Sequence, residues 1–165
     1  MRSLPENLFL GLSILRDRSR HQLFINIPGF VKKILTKFNM NTCHATSVPA
    51  DPCSRISAQM SASTEEEIMD MSNVPYREAF GCLLYLFMTC RPDIAFAVSQ
   101  VAKFCQNPGR AHWNAVKSIL SYLSETDQFG IHFGAQTTGQ LIGYTDTLYT
   151  LFWCTALNTY KYLQL

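Results

Sequence analysis

Between Pro75 and Leu123 three apolar-periodic segments stand back to back, cut by Arg91-Pro92-Asp93 and by Asn107-Pro108-Gly109. In the first, Phe80, Leu83, Leu84, Phe87 and Met88 recur at the spacing of one helical face. Ile94, Ala97, Val98, Val101, Ala102 and Cys105 do so in the second, and Trp113, Val116, Ile119, Leu120 and Leu123 in the third. Pro75 and Pro92 suit a first helical turn, where a missing N–H costs nothing, and Asp93 then favours the helix dipole. The pattern predicts a three-helix unit.

Upstream the period changes. Leu8, Leu10, Leu12 and Ile14 alternate with Phe9, Gly11 and Ser13; after the polar run 16–20, Leu23, Ile25 and Ile27 alternate with Phe24 and Asn26. This predicts a β-hairpin over residues 8–27, with Gly11 marking a bulge, a close backbone approach or a tolerated edge glycine. Pro28-Gly29 opens a helix to about Phe38, with Phe30, Val31, Ile34, Leu35 and Phe38 on one side and Lys32, Lys33 and Lys37 on the rest; Asn39 is its expected stop. Residues 40–74 read as a proline- and serine-bearing acidic connector, with Ser63-Thr64-Glu65-Glu66 as the capping box of one short helix. Phe129–Phe133 and Leu141–Asp146 read as two short strands. The fold class expected is α+β, mainly helical.

Composition permits a real core: of 165 residues 47% are hydrophobic, 12% aromatic and 16% charged. The net charge of +2 argues for no partner, but its distribution is uneven. Residues 1–40 carry seven Lys/Arg against two acids, and residues 75–123 five against two. Such basic segments could face an anion, although a solvated surface explains them as well. Six cysteines form no C-x-x-C pair, and without a signal peptide a reducing compartment, cytoplasmic or nuclear, is expected. No run is long enough to span a membrane.

The chemistry is sparse. Phosphate-binding glycine loops, nucleophile elbows and H-E-x-x-H are absent. Cys43-His44 with Cys53 falls short of a structural zinc set, and His21, His44, His112 and His132 have no evident Cys or Ser partner. Two-metal phosphoryl chemistry needs several converging carboxylates, and Asp51, Asp93 and Asp146 are isolated.

Several motifs taken in order are more telling. Phe9-Leu10-Gly11-Leu12, the helix Gly29 to Met40, Pro75-Tyr76-Arg77-Glu78-Ala79-Phe80-Gly81, Arg91-Pro92-Asp93-Ile94-Ala95-Phe96-Ala97-Val98, Asn107-Pro108 to Trp113, and Tyr122-Leu123 resemble copia-type LTR retrotransposon Pol polyproteins. The resemblance covers about residues 7 to 146. It implies the part of a reverse transcriptase that follows the palm: a primer-grip, thumb and connection fragment over residues 7–128. The start of a ribonuclease H strand pair would occupy 129–146, and a divergent tail 147–165.

By the same resemblance Phe9, Leu10 and Gly11 would grip the primer end. Lys32, Lys33 and Lys37 would sit near template-primer phosphates, and on their charge Arg110 and Lys117 are candidates to add to that sequence-independent binding. The implied partners are an RNA/DNA primer-template and the remaining Pol domains, with no membrane. Asp146, in Leu141-Ile142-Gly143-Tyr144-Thr145-Asp146, would be a lone ribonuclease H metal ligand. The departures point the other way. The family's Tyr-x-Asp-Asp turn belongs upstream of residue 7, and no carboxylate follows Asp146. The expectation is a fragment with no catalytic residue and no cofactor of its own, where the parent family uses magnesium. Its tail would have been altered by frameshift, splicing or decay. The alternative expectation is a helical protein-interaction module or a remnant without a role.

Overall fold

The computed structural model of the chain describes residues 7–9, 11–50 and 56–134. They divide into two compact units, one holding the strands on either side of the segment Ile27–Gln128 and the other formed by that segment.

The strand unit is an antiparallel sheet in the order β1 (Asn7–Phe9), β2 (Leu12–Asp17), β3 (Gln22–Asn26) and β4 (Gly130–Phe133). The apolar run over residues 8–14 is two strands rather than one. Phe9 pairs with Leu12, so the chain reverses between them, and Gly11 supplies the positive φ of 84° that this turn needs. Gly11 is therefore a turn residue, not a bulge. The polar run 16–20 does make the next reversal, closing on the Asp17–Gln22 pair. Asp17 organises it by accepting from the Ser19 N–H at 2.9 Å, the Ser19 hydroxyl, and the Arg20 N–H at 3.1 Å. These bonds, the hydroxyl foremost, hold the Asp17 carboxyl below its ordinary pKa. β4 lies antiparallel to β3, from Leu23 opposite Phe133 to Asn26 opposite Gly130. The first of the two expected C-terminal strands thus extends the hairpin sheet; Leu141–Asp146 lies outside the described residues.

The helical unit begins with α1 (Pro28–Lys37), which buries Val31, Ile34 and Leu35. Its end is set by Asn39, at φ 54°: the Met40 N–H returns to the Leu35 carbonyl at 2.8 Å and the Asn39 N–H to that of Thr36. That is a Schellman closure with asparagine in the left-handed position, as the sequence suggested. α2 (Glu65–Ser72) starts one residue later than the capping-box reading placed it. Thr64 is the cap, accepting from the Glu67 N–H at 3.2 Å, while the Glu67 carboxylate accepts from the N–H groups of Ser63 and Thr64. Three successive glutamates give both Ser63 and Thr64 a partner three residues on. The carboxylate that also reaches the Ser63 N–H decides between them.

α3 (Tyr76–Thr89) buries Tyr76, Ala79, Leu83 and Leu86. Of the face expected here only Leu83 is fully buried; Leu84 and Met88 are exposed, and Phe80 and Phe87 half-buried. The helix is apolar nearly all round, so its period fits two faces. The inward one is fixed by the Tyr76 hydroxyl, which donates to the Val101 carbonyl at 2.8 Å. Pro75 caps α3 from outside, and Pro92 starts a 3-10 turn, Pro92–Ile94, that runs into α4 (Ala95–Ala102). Ile94, Ala97, Val98 and Val101 are buried as expected. α5 (Arg110–Glu125) buries Val116, Ile119, Leu120 and Leu123, with Trp113 half-buried against Phe38 and Tyr76. Each such aliphatic side chain contributes about 1.5–3 kcal/mol of transfer free energy.

Candidate nucleic-acid interface

Two buried polar clusters hold α5, which carries two of the candidate cations. Arg91 is 1% exposed. Its Nε and Nη2 donate to the Asp93 carboxylate at 2.7–3.1 Å, and Nη1 and Nη2 donate to the Thr126 carbonyl and hydroxyl at 2.7 and 2.6 Å. The Tyr122 hydroxyl donates to the same carboxylate at 2.9 Å. Burial, then the neighbouring Asp93 charge, pushes the Tyr122 phenol up to about 12. The cluster ties the break between α3 and α4 to the C-terminal end of α5.

His112, fully buried, does the same at the other end of α5. Its Nδ1 accepts from the Gly109 N–H at 2.8 Å, its Nε2 meets the Ser57 carbonyl at 3.1 Å, and its ring stacks on Phe104 at 4.0 Å. With Nδ1 accepting, Nε2 carries the proton and donates to Ser57. Burial lowers the His112 pKa. A Cβ on Gly109 would stand 1.9 Å from the Met60 carbonyl oxygen, so only glycine admits this approach. Arg91, Asp93, Gly109 and His112, all within the motifs that carry the resemblance, are therefore scaffold residues rather than surface ones.

The candidate cations lie on α1 and α5. Lys32, Lys33 and Lys37 are all exposed on the solvent side of α1, where the buried Val31, Ile34 and Leu35 leave them. Two of the three have acidic neighbours from elsewhere in the helical unit. Lys32 stands 3.7 Å from the Asp127 carboxylate, and Lys37 makes a short contact with Glu78 that raises its pKa. Lys33 makes no ion pair among the described residues. On α5, Arg110 is exposed and pairs with Asp70 of α2 at 2.8 Å, whereas Lys117 is half-buried. Exposed pairs of this kind are worth little and open readily to a stronger anion.

Phe9 and Gly11 belong to the strand unit, with Phe9 62% exposed. Leu10 and Asp146 lie outside the described residues. Among the described residues no three His, Cys, Asp or Glu side chains gather where they could hold a metal ion.

Comparison with known proteins decides the relationship. Neither a family model nor a solved structure matches the chain. It is 39% identical over 142 residues to a retrovirus-related Pol polyprotein from transposon TNT 1-94 of Nicotiana tabacum, which covers 86% of this chain and 11% of that one. It is 31% identical over 141 residues to the Pol polyprotein from transposon RE1 of Arabidopsis thaliana, 86% of this chain and 9% of the relative. This chain is a relative of the copia-type Pol polyproteins. It is a retrotransposon-derived Pol segment, spanning about a tenth of the length of these two relatives. The Pol segment also matches a secreted RxLR effector protein 161 of Plasmopara viticola, at 42% identity over 76 residues, 46% of this chain and 54% of that protein. Among its described residues no helix is long and apolar enough to cross a membrane.

Proposed function

We propose that this Pol segment is the non-catalytic support that follows the palm of a reverse transcriptase and holds primer-template through its phosphates. The observation that carries the reading is the α1 face: three exposed lysines opposite a fully buried apolar stripe. A helix anchored in this way presents its cations on a fixed surface, and phosphate contacts position a duplex without reading its sequence. Arg110 and Lys117 on α5 would add to it, and Phe9 with the Gly11 turn would meet the primer end.

Fluorescence anisotropy with a labelled RNA/DNA duplex tests this. Affinity should fall with a log–log salt slope of about −0.9 per phosphate contact, and changing Lys32, Lys33 and Lys37 to Gln should flatten it. Affinity that stays level from low to physiological salt would sink the proposal.

A second reading rests on different side chains. Leu84, Tyr85, Met88 and Phe96 are 39–68% exposed on α3 and α4, which favours a helical interaction module. Size-exclusion chromatography separates the two. Self-association together with indifference to duplex would favour the module.

A further inference from the structure

The turn joining β2 and β3 carries a second basic feature. Arg16, Arg18 and Arg20, with His21, are all exposed within six residues. Asp17 is the only acid among them, and its carboxylate is occupied by the turn: Oδ1 accepts from Ser19 and the Arg20 N–H, and Oδ2 lies 3.8 Å from the Arg20 guanidinium. The turn is therefore held in shape by its one negative charge, with the Arg16 and Arg18 side chains exposed and Arg20 exposed beside Asp17. It stands at the opposite end of β2 from the Gly11 turn, about 20 Å away along a six-residue strand.

We propose that the Arg16–Arg20 turn is a separate phosphate-backbone contact for nucleic acid, distinct from the Phe9–Gly11 turn and from the α1 lysines. Guanidinium forks match phosphate oxygens in pairs, which ammonium groups do not. Residues 16–21 hold no apolar side chain that could insert into a bilayer or anchor a protein hot spot. A duplex rises 3.4 Å per base, so one that bridged both ends of β2 would cover about six base pairs. This inference rests on the reading that the segment holds nucleic acid.

The test is a salt titration of duplex binding with Arg16, Arg18 and Arg20 all changed to Gln, beside a triple Lys variant and the α1 triple Gln variant. Loss of three contacts should reduce the salt slope by about 2.7, so that between 50 and 200 mM salt the unmodified chain loses about 40-fold more affinity than the Gln variant. The Lys variant should keep the slope. An unchanged slope in the arginine Gln variant, with a reduced slope in the α1 variant, overturns this proposal and leaves the α1 reading standing. A slope lost equally in the Lys variant assigns the effect to turn structure and also overturns it. So does tighter binding of polyglutamate than of duplex. If the unmodified chain shows no salt-dependent duplex binding, both readings fall together.

Discussion

Replacing Asp93 by Leu removes the carboxylate that accepts from Arg91 Nε and Nη2 and from the Tyr122 hydroxyl. What remains is a guanidinium 1% exposed that has lost the Asp93 carboxylate and keeps the carbonyl and hydroxyl of Thr126. An uncompensated buried charge costs about 3–5 kcal/mol, a large share of a small domain's whole stability. With a urea m-value of about 2 kcal/mol/M, the midpoint should fall by about 1.5–2.5 M. Arg91→Met should be similarly costly, since it strands the carboxylate and both Thr126 acceptors. The double variant Arg91→Met/Asp93→Leu should cost less than either single change, because neither charge is then buried alone. Urea unfolding followed by far-UV circular dichroism measures all three. The reasoning fails if Asp93→Leu costs under about 1 kcal/mol, or if the double variant costs the sum of the two singles.

Gly109→Ala places a Cβ 1.9 Å from the Met60 carbonyl oxygen, a backbone atom that cannot swing aside. It should cost about 1–3 kcal/mol by urea titration and loosen residues 57–62 to limited proteolysis. Asn39→Ala should cost about 1 kcal/mol through its left-handed φ, while Asn39→Gly should cost nothing measurable in the same titration. The folded His112 pKa lies below the unfolded value near 6.5, so the unfolded chain binds the extra proton. Stability from neutral His112 is therefore present above that value and lost as pH falls from about 6.5 toward the folded pKa. His112→Gln should lack this component, which subtracting the two unfolding curves over that range isolates.

The sequence revealed element types better than element faces. α1 was fully legible, from Pro28 through its buried stripe to Asn39, because its polar and apolar residues separate cleanly. α3 was not, because Leu83 and Leu86 compete with Leu84, Phe87 and Met88 for the interior and a contact 25 residues away, Tyr76 to Val101, decides. The capping box slipped by one residue because Glu65, Glu66 and Glu67 offer two registers. Gly11 was ambiguous until the Phe9–Leu12 pairing made it a turn.

The candidate cations were all visible, but their partners were not. Asp127 and Glu78 lie 95 and 41 residues from Lys32 and Lys37, distances over which no periodicity speaks. The same holds for Arg91, which the sequence marks as a motif residue and only the fold shows to be buried.

The pairing of β3 with β4 has a consequence for how the molecule folds. Asn26 stands opposite Gly130, so the helical segment enters and leaves through neighbouring points of one ladder. Tying those points with about 100 residues of loose chain, instead of a four-residue hairpin, costs about 3 kcal/mol of closure entropy. A helical segment already folded has surrendered most of that freedom, so β4 should join the sheet last, and only while the helices stand. Amide exchange along β4 then becomes a gauge of a domain to which that strand does not belong: weaken the Arg91 cluster, and the β4 amides bonded to β3 should lose their protection with it.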